Sequence, residues 1–215
     1  IGKNIVNPAL AARAFLFSWP VLMNNWVKPG FQNWTGLFST ADAVTCATPL
    51  AQMGKGMLPE ATVSELFWGN IGGCIGETSV LLLLLGLLYL LARKVITLRI
   101  PLSFIGTVAV LTVLFPQGNN NLQWMIAQLF SGGLFLGAIF MATDYVTSPV
   151  TKKGQVIFGI GCGLFTVLIR YFGSYNEGVC YSIMVMNLLV ALIDKYTKPT
   201  RFGVVKSEKK EAAAK

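Results

Sequence analysis

The sequence predicts an all-α membrane protein, a polytopic bundle of about six transmembrane helices. Its 215 residues are 54% hydrophobic and only 12% charged, whereas soluble domains carry about 25% charged residues. Several apolar runs approach the ~20 residues that an α-helix needs to cross a bilayer. The net charge of +8 does not indicate nucleic-acid binding, because the cations lie between the apolar runs and in the C-terminal tail.

Six apolar segments are predicted to cross the bilayer and to form one transmembrane domain over residues 1–194. They cover residues 8–27, 70–92, 100–115, 122–143, 154–172 and 179–194. Pro8 suits the first turn of the first helix, and Pro20 is expected to kink that helix. Residues 195–215 are predicted to be a basic cytoplasmic tail, and its final Glu-Ala-Ala-Ala-Lys is also typical of a helical linker.

Residues 28–69 are predicted to form one long connection, and connections of this length are usually functional. Cations accumulate on one side of the membrane if the segments alternate. They are Arg93, Lys94, Arg99, Lys152, Lys153, Lys195, Lys198 and Arg201. The positive-inside rule makes this side cytoplasmic, so the connection is predicted to face outward.

Three of the charged residues within or beside the predicted spans are candidate site residues. Glu77 falls in the second segment, where a carboxylate must pair with a cation, take up a proton or bind a cation. Arg170 and Glu177 lie on either side of the turn after the fifth segment. They are predicted to form an ion pair near the outer interface. This pair either fixes the turn or belongs to an ion or flavin pathway, and Glu77 is a candidate for the same pathway.

Cysteine and histidine usage argues against a metal centre. The four cysteines are widely scattered and the chain has no histidine, so neither a zinc site nor an iron–sulfur cluster built from this chain alone is predicted. The sequence begins at Ile1, and we expect it to be the later part of a longer protein.

Residues 42–50 interrupt the apolar sequence with small residues, two threonines, a carboxylate and a proline. Pro49 favours an extended or turn conformation at Thr48, which should present its hydroxyl rather than bury it in a helix groove. Such a hydroxyl near Asp42 suits a hydrogen-bonding group, a nucleophile or an attachment point. A plain polar turn is the simplest interpretation of the spacing alone.

The stretch from Asp42 to Thr48, Asp-x-x-Thr-Cys-Ala-Thr, resembles the flavin-attachment motif Asp-x-x-Ser/Thr-Gly-Ala-Thr of the NqrB/RnfD family. This family contains membrane subunits of sodium-pumping NADH:quinone and Rnf ferredoxin:NAD oxidoreductases. Cys46 stands where the motif has glycine. Further stretches resemble the family in the same order, at residues 2–9, 72–79, 144–149, 169–178, 186–187 and 194. The resemblance therefore covers the chain from Gly2 to Asp194.

The resemblance implies a covalent cofactor. In the family, a separate flavin transferase joins FMN through its phosphate to a threonine oxygen. The acceptor is the last residue of the motif, here Thr48, and Asp42, Thr45 and Ala47 would lie around the cofactor, with Asp42 helping the transferase to orient the hydroxyl. A second, noncovalent flavin such as riboflavin is left open, and no catalytic residue or metal ligand is assigned to this chain.

The resemblance also implies a fold and a function. The family fold has ten transmembrane helices in two related halves, similar to urea transporters, and this chain would hold the later helices. Large insertions typical of the quinone-reducing branch are missing, which favours the D subunit of an Rnf complex. Such a subunit lies in the cell membrane and passes electrons between ferredoxin and NAD with coupled Na⁺ or H⁺ movement. It is part of a translocase and has no complete active site of its own.

The expected partners are the bilayer, the flavin transferase and other Rnf subunits, with no nucleic acid. Those subunits are a second covalent-FMN subunit, membrane subunits, and peripheral iron–sulfur and NAD-binding subunits. Three alternatives stay open: an NqrB-type subunit of a Na⁺-pumping NADH:quinone oxidoreductase, a urea-transporter-like solute channel, and a membrane scaffold.

Overall fold

The computed structural model describes residues 4–17, 19, 48–74, 76–118, 120–173 and 177–199, and within these ranges every regular element is helical. The helices are α1 (Pro8–Leu16), α2 (Pro49–Met53), α3 (Val63–Trp68), α4 (Val80–Ala92), α5 (Arg99–Leu114), α6 (Asn121–Phe130), α7 (Leu134–Met141), α8 (Lys152–Phe172) and α9 (Val179–Thr197). The last five residues of α7, Gly137–Met141, form a π-helical turn.

The lengths of the helices confirm a helical membrane protein. Among the described residues, α8 and α9, with 21 and 19 residues, are long and apolar enough to cross a bilayer. The pair α6 and α7 would make a third span, bent by 60° at a short break. The apolar helices α4 and α5 are shorter, with 13 and 16 residues. The described residues thus contain two or three candidate spans, and the prediction of six is not confirmed.

The segment predicted as a helix over residues 70–92 becomes helical only at Val80, where the Ser79 hydroxyl accepts a hydrogen bond from the Leu82 N–H at 3.4 Å. The preceding residues are irregular. Glycine weakens a helix interior, and Gly76 adopts a positive φ of 87° that a regular helix does not allow. Glu77 therefore lies before the helix, where its carboxylate is free to reach other elements.

The first predicted helix begins as expected. The Asn7 side chain accepts from the Ala9 N–H at 3.0 Å and starts α1, which ends at Leu16. Residues 18 and 20–47 lie outside the described ranges, together with Asp42, Thr45 and Ala47. The predicted connection over residues 28–69 is described from Thr48 onward, and this part contains α2 and α3.

Three buried clusters organise the described residues. The largest joins α1, α5, α7, α8 and α9, and α8 packs along both α5 and α9. A second, which we call the α2 cluster, contains Leu50, Met53, Leu66, Ile71, Trp124 and Ala127. Because these side chains come from α2, α3 and α6 and from Ile71, the α2 cluster holds the start of α2 against the broken helix. The third packs Val80 and Leu83 of α4 against Phe135 and Ile139 of α7.

Candidate functional site

The central feature of the site is the interruption between α6 and α7, residues 131–133, which we call the helix break. Gly132 has a φ of +69°, a conformation that residues with a Cβ rarely adopt. A Cβ on Gly132 would overlap Leu50 Cδ1, and one on Gly133 would overlap Glu177 Oε1. The two glycines therefore allow both the turn and the close approach of two other parts of the chain.

Arg170 satisfies the carbonyl groups at the end of α6. Its Nη1 donates to the Gln128 carbonyl at 2.6 Å and to Gln128 Oε1 at 3.0 Å, and Nη2 donates to the Ser131 carbonyl at 3.3 Å. Arg170 and Gln128 are both buried. The C-terminal end of a helix carries unpaired carbonyls and partial negative charge, which a cation stabilises. Arg170 thus compensates the carbonyl side of the helix break.

Glu177 occupies the other side of the break. The Gly133 N–H, just before α7, donates to Glu177 Oε1 at 3.2 Å. The same carboxylate accepts from Arg13 Nη2 at 2.9 and 2.8 Å. Arg170 reaches Glu177 through its backbone carbonyl, to which Nε donates at 3.2 Å. The predicted ion pair between Arg170 and Glu177 is therefore replaced by an ion pair between Arg13 and Glu177, because Arg170 is engaged by the end of α6.

Glu77 completes a group that we call the charge cluster: Arg13, Glu77 and Glu177. Arg13 Nη2 donates to Glu77 Oε2 at 3.0 Å, and Glu77 Oε1 accepts from the Cys74 N–H at 3.0 Å. Glu77 is only 7% exposed. The three charged side chains come from α1, from the segment before α4 and from the turn before α9. One buried point therefore connects parts of the chain that lie far apart in sequence.

The charge cluster contains two carboxylates and one guanidinium, so its ionised form carries one excess negative charge. Burial raises the pKa of Glu177 to about 7, and the nearby charge of Glu77 acts in the same direction, while Arg13 and Arg170 oppose the shift. Burial and then the Glu77 charge raise the pKa of the Cys74 thiol to about 12. The cluster can hold a proton near neutral pH, and Cys74 stays a thiol.

Thr48 lies at the start of α2, close to the helix break. Its side-chain Oγ1 accepts from the Ala51 N–H at 3.3 Å, while Pro49 and Leu50 are buried behind it. This hydrogen bond uses a lone pair of Oγ1 and not the hydroxyl proton. Esterification of Oγ1 replaces the proton and leaves the oxygen as the acceptor, so the structure at Thr48 fits an attached phosphate.

The structure brings together three of the residues singled out from the sequence: Glu77 and Glu177 meet at Arg13, and Arg170 lies on the other side of the break. Sequence reasoning missed Arg13 as their common partner, as well as Gln128 and the Gly133 N–H. The signal for Arg13 was present, because a lone cation within an apolar helix requires a partner. No comparable signal marked Gln128.

A model of the NQR2, RnfD, RnfE family matches residues 1–203. The chain is 46% identical over 218 residues, all of this chain and 64% of the relative, to the D subunit of the Na(+)-translocating ferredoxin:NAD(+) oxidoreductase complex of Acetobacterium woodii. It is 46% identical over 214 residues, 94% of this chain and 62% of the relative, to the D subunit of the proton-translocating ferredoxin:NAD(+) oxidoreductase complex of Clostridium ljungdahlii.

A third relative, the D subunit of the ion-translocating oxidoreductase complex of Stutzerimonas stutzeri, is 38% identical over 228 residues, 94% of this chain and 64% of the relative. The chain thus spans slightly less than two thirds of the length of these curated relatives.

Proposed function

The chain belongs to the NQR2, RnfD, RnfE family, and from that membership we propose that it acts as the D subunit of an ion-translocating ferredoxin:NAD oxidoreductase complex. The main support for this proposal is the 46% identity along the whole chain to a relative named as the D subunit of a Na⁺-translocating complex. The two relatives at 46% identity are named for ferredoxin and NAD rather than for a quinone. The proposed partners are the other subunits of that complex.

FMN is the proposed cofactor, joined through its phosphate to Thr48 Oγ1 by a flavin transferase. The support is the motif from Asp42 to Thr48 together with the geometry of Thr48, whose hydroxyl proton is not used by the helix cap. The attached flavin would supply one- and two-electron redox chemistry. The protein's own contribution is to hold the attachment point: Pro49 and Leu50 are buried, and α2 fixes the backbone on which Thr48 lies.

The proposed arrangement in the membrane keeps six spans in this chain, as part of a ten-helix, two-half fold similar to urea transporters. The Thr48 connection faces outward and the C-terminus is cytoplasmic. Cations at Arg93, Lys94, Lys152 and Lys153 support this orientation by the positive-inside rule. The bend between α6 and α7 supports a transporter-like fold, because broken helices with buried charges at the break are typical of such proteins.

Glu77, Arg170 and Glu177 are proposed to belong to the ion or flavin pathway. A buried carboxylate pair that shares a single guanidinium can accept a proton or another cation as the missing charge. Arg170 is the least exchangeable member, because three carbonyls and one amide oxygen hold its guanidinium.

Thr48→Ala tests the proposal, with Thr40→Ala, a threonine outside the motif, as the matched control. The denatured subunit is separated on a gel, its flavin fluorescence is recorded, and the peptide that contains residue 48 is analysed by mass spectrometry. We expect the unaltered protein and Thr40→Ala to carry an FMN phosphoryl mass on Thr48. Thr48→Ala should lose the covalent flavin while the subunit stays in the membrane.

Thr48→Ser sharpens the result, because serine keeps the oxygen to which the phosphate is joined. Covalent flavin that persists in Thr48→Ala would reject Thr48 as the acceptor. An unmodified peptide from cells that contain the transferase would reject the cofactor assignment as a whole.

A further inference from the structure

Leu50, two residues after Thr48, packs directly against the helix break. Its side chain is 6% exposed and belongs to the α2 cluster. A Cβ on Gly132 would overlap Leu50 Cδ1, so the leucine occupies the space that only glycine leaves open. The first turn of α2 is therefore in van der Waals contact with the backbone of the break.

The same glycine pair also borders the charge cluster. A Cβ on Gly132 would lie 3.6 Å from Glu177 Cγ, and one on Gly133 would lie 3.0 Å from Glu77 Oε2 and 3.4 Å from Arg13 Nη1. Leu50 and the carboxylates thus converge on the backbone of the same two glycines. A change in the position of the break must move either the first turn of α2 or the cluster.

The turn that carries Thr48 depends on tertiary packing for its position. The helix α2 has only five residues, too short to be stable by itself. Its buried side chains are Pro49, Leu50 and Met53, and Leu50 is the one placed against the break. Packing at Leu50 therefore sets where Thr48 lies relative to the charge cluster.

We infer that Leu50 is a positioning residue, which holds the Thr48 turn at a fixed place beside the charged helix break by packing on Gly132. The inference deepens the proposed function and rests on it where it concerns the flavin. If FMN is attached to Thr48, the distance from its linkage to the buried charges depends on this contact. Charges near a cofactor tune its redox potential, so the contact influences the potential of the flavin.

The test introduces Gly132→Ala, Leu50→Ala and the double variant into the full-length subunit within its purified complex. The first readout is hydrogen–deuterium exchange of the peptide over residues 48–56, which requires no flavin. Overpacking at Gly132 should speed exchange at the Gly54 N–H, which donates to the Leu50 carbonyl at 2.9 Å, by about tenfold. The double variant should recover much of this loss, because alanine at position 50 vacates the space into which the new methyl group projects.

Two control variants carry the same kinds of substitution at positions that do not take part in the contact between Leu50 and Gly132. Gly56→Ala places alanine at a similar positive φ, 74°, with nothing within 4 Å of the new Cβ, and thus separates backbone strain from the overlap with Leu50. Leu83→Ala truncates a buried leucine outside the α2 cluster, 7% exposed, that lies on α4. The second readout is the midpoint potential of the bound flavin. It should shift in Gly132→Ala and Leu50→Ala and stay unchanged in both controls.

The outcomes are distinguishable. Unchanged exchange of residues 48–56 in Gly132→Ala, or a double variant no better than Gly132→Ala, would overturn the positioning role of Leu50. Altered exchange with an unshifted flavin potential would overturn it as well, since the contact would then serve stability alone. A third outcome is faster exchange in Gly132→Ala that the added Leu50→Ala reverses, in a protein that carries no covalent flavin. This outcome would support the role of Leu50 in positioning the Thr48 turn and would reject the cofactor assignment.

Discussion

Two regions of this protein solve the packing of helices in opposite ways. Where α5 meets α8, glycines let the backbones approach: a Cβ on Gly163 would lie 3.0 Å from the Phe104 carbonyl and 2.6 Å from Thr107 Cβ. The Thr107 hydroxyl bonds the Ser103 carbonyl within its own helix, at 2.7 Å. At the helix break, in contrast, backbone groups lack partners within a helix and are bonded by Arg170 and Glu177 from other elements.

The difference shows what each region requires. Unbroken helices satisfy their own backbone groups, so the contact between α5 and α8 depends mainly on shape, with one side-chain hydrogen bond from Arg99 to Gln155. It therefore tolerates polar side chains that bond locally. A broken helix leaves carbonyls and N–H groups without partners in a region that excludes water, where each such group is costly. Buried charges are thus a requirement at the break and would be a liability in the interface of α5 and α8.

The largest effect is expected at Arg170. Arg170→Met leaves the carbonyls of Gln128, Ser131 and Glu177 without this donor, and each buried acceptor left unsatisfied costs about 1–3 kcal/mol. We expect little folded subunit in the membrane and a much lower unfolding temperature in nanodiscs. Arg99→Met is the matched control, since within the described residues Arg99 Nη1 bonds a single neutral acceptor, Gln155 Oε1, at 3.3 Å. Equal losses from the two substitutions would contradict the special role of the break.

A smaller effect is expected where α5 and α8 meet. Gly163→Ala places a methyl group against the Phe104 carbonyl, which cannot move without shifting α5, and overpacking of this kind costs about 1–3 kcal/mol. The unfolding temperature should fall accordingly. In Gly161→Ala the new methyl group faces the flexible end of Met186, which can rotate away, so that variant should be nearly as stable as the original. A larger loss in Gly161→Ala than in Gly163→Ala would refute this account of the interface.

The charge cluster predicts a pH dependence that the interface of α5 and α8 lacks. The pKa of Glu177 is raised from 4.5 to about 7, so the folded protein binds this proton more tightly than the unfolded chain does. Stability from this group is therefore fully present below about 4.5 and is lost as the pH rises to about 7. Unfolding temperatures across this range should show a decline that is weaker in Glu177→Gln. The exposed Glu60 supplies the control, since Glu60→Gln should leave the decline intact.

The smallest effect is expected from the hydroxyl groups of the interface. Thr107→Val removes a hydroxyl that bonds only a carbonyl of its own helix, and we expect a change within about 0.5 kcal/mol. Thr166→Val is the informative comparison, because Thr166 Oγ1 also shares a 2.7 Å hydrogen bond with the buried Ser182 hydroxyl. Thermal unfolding of the two variants should rank Thr166→Val as the less stable, and the opposite order would show that local bonding does not explain the tolerance.

The same contrast explains how much of the structure was predictable. Long apolar segments identified α8 and α9 to within about three residues at each end, because hydropathy and helix length are local properties. The break at Ser131 to Gly133 was not predicted, since the glycines there are equally typical of a close packing face. Whether such glycines turn the chain depends on partners such as Arg170 and Glu177, which lie 39 and 44 residues away in sequence.

The sequence predicted which charged residues belong to the site, but it did not predict which of them contact each other. Glu77 was singled out because a charge in a bilayer demands compensation, and Arg170 and Glu177 because they flank a turn near the outer interface. The pairing was wrong for Arg170 and Glu177, since proximity in sequence favoured a pair that the carbonyls of α6 prevent. Arg13 contacts Glu177 across 164 residues, and no local pattern encodes such a contact.

The origin of the charge cluster in three distant parts of the chain has a consequence for biosynthesis. Arg13 and Glu77 are separated by 64 residues and can meet while the ribosome is still making the later helices, as a pair without net charge. Glu177 lies 164 residues after Arg13 and arrives only when α8 has been inserted. Since chains are inserted from the N-terminal end, the second carboxylate reaches the guanidinium as the bundle closes, and the excess negative charge is acquired at the end of assembly.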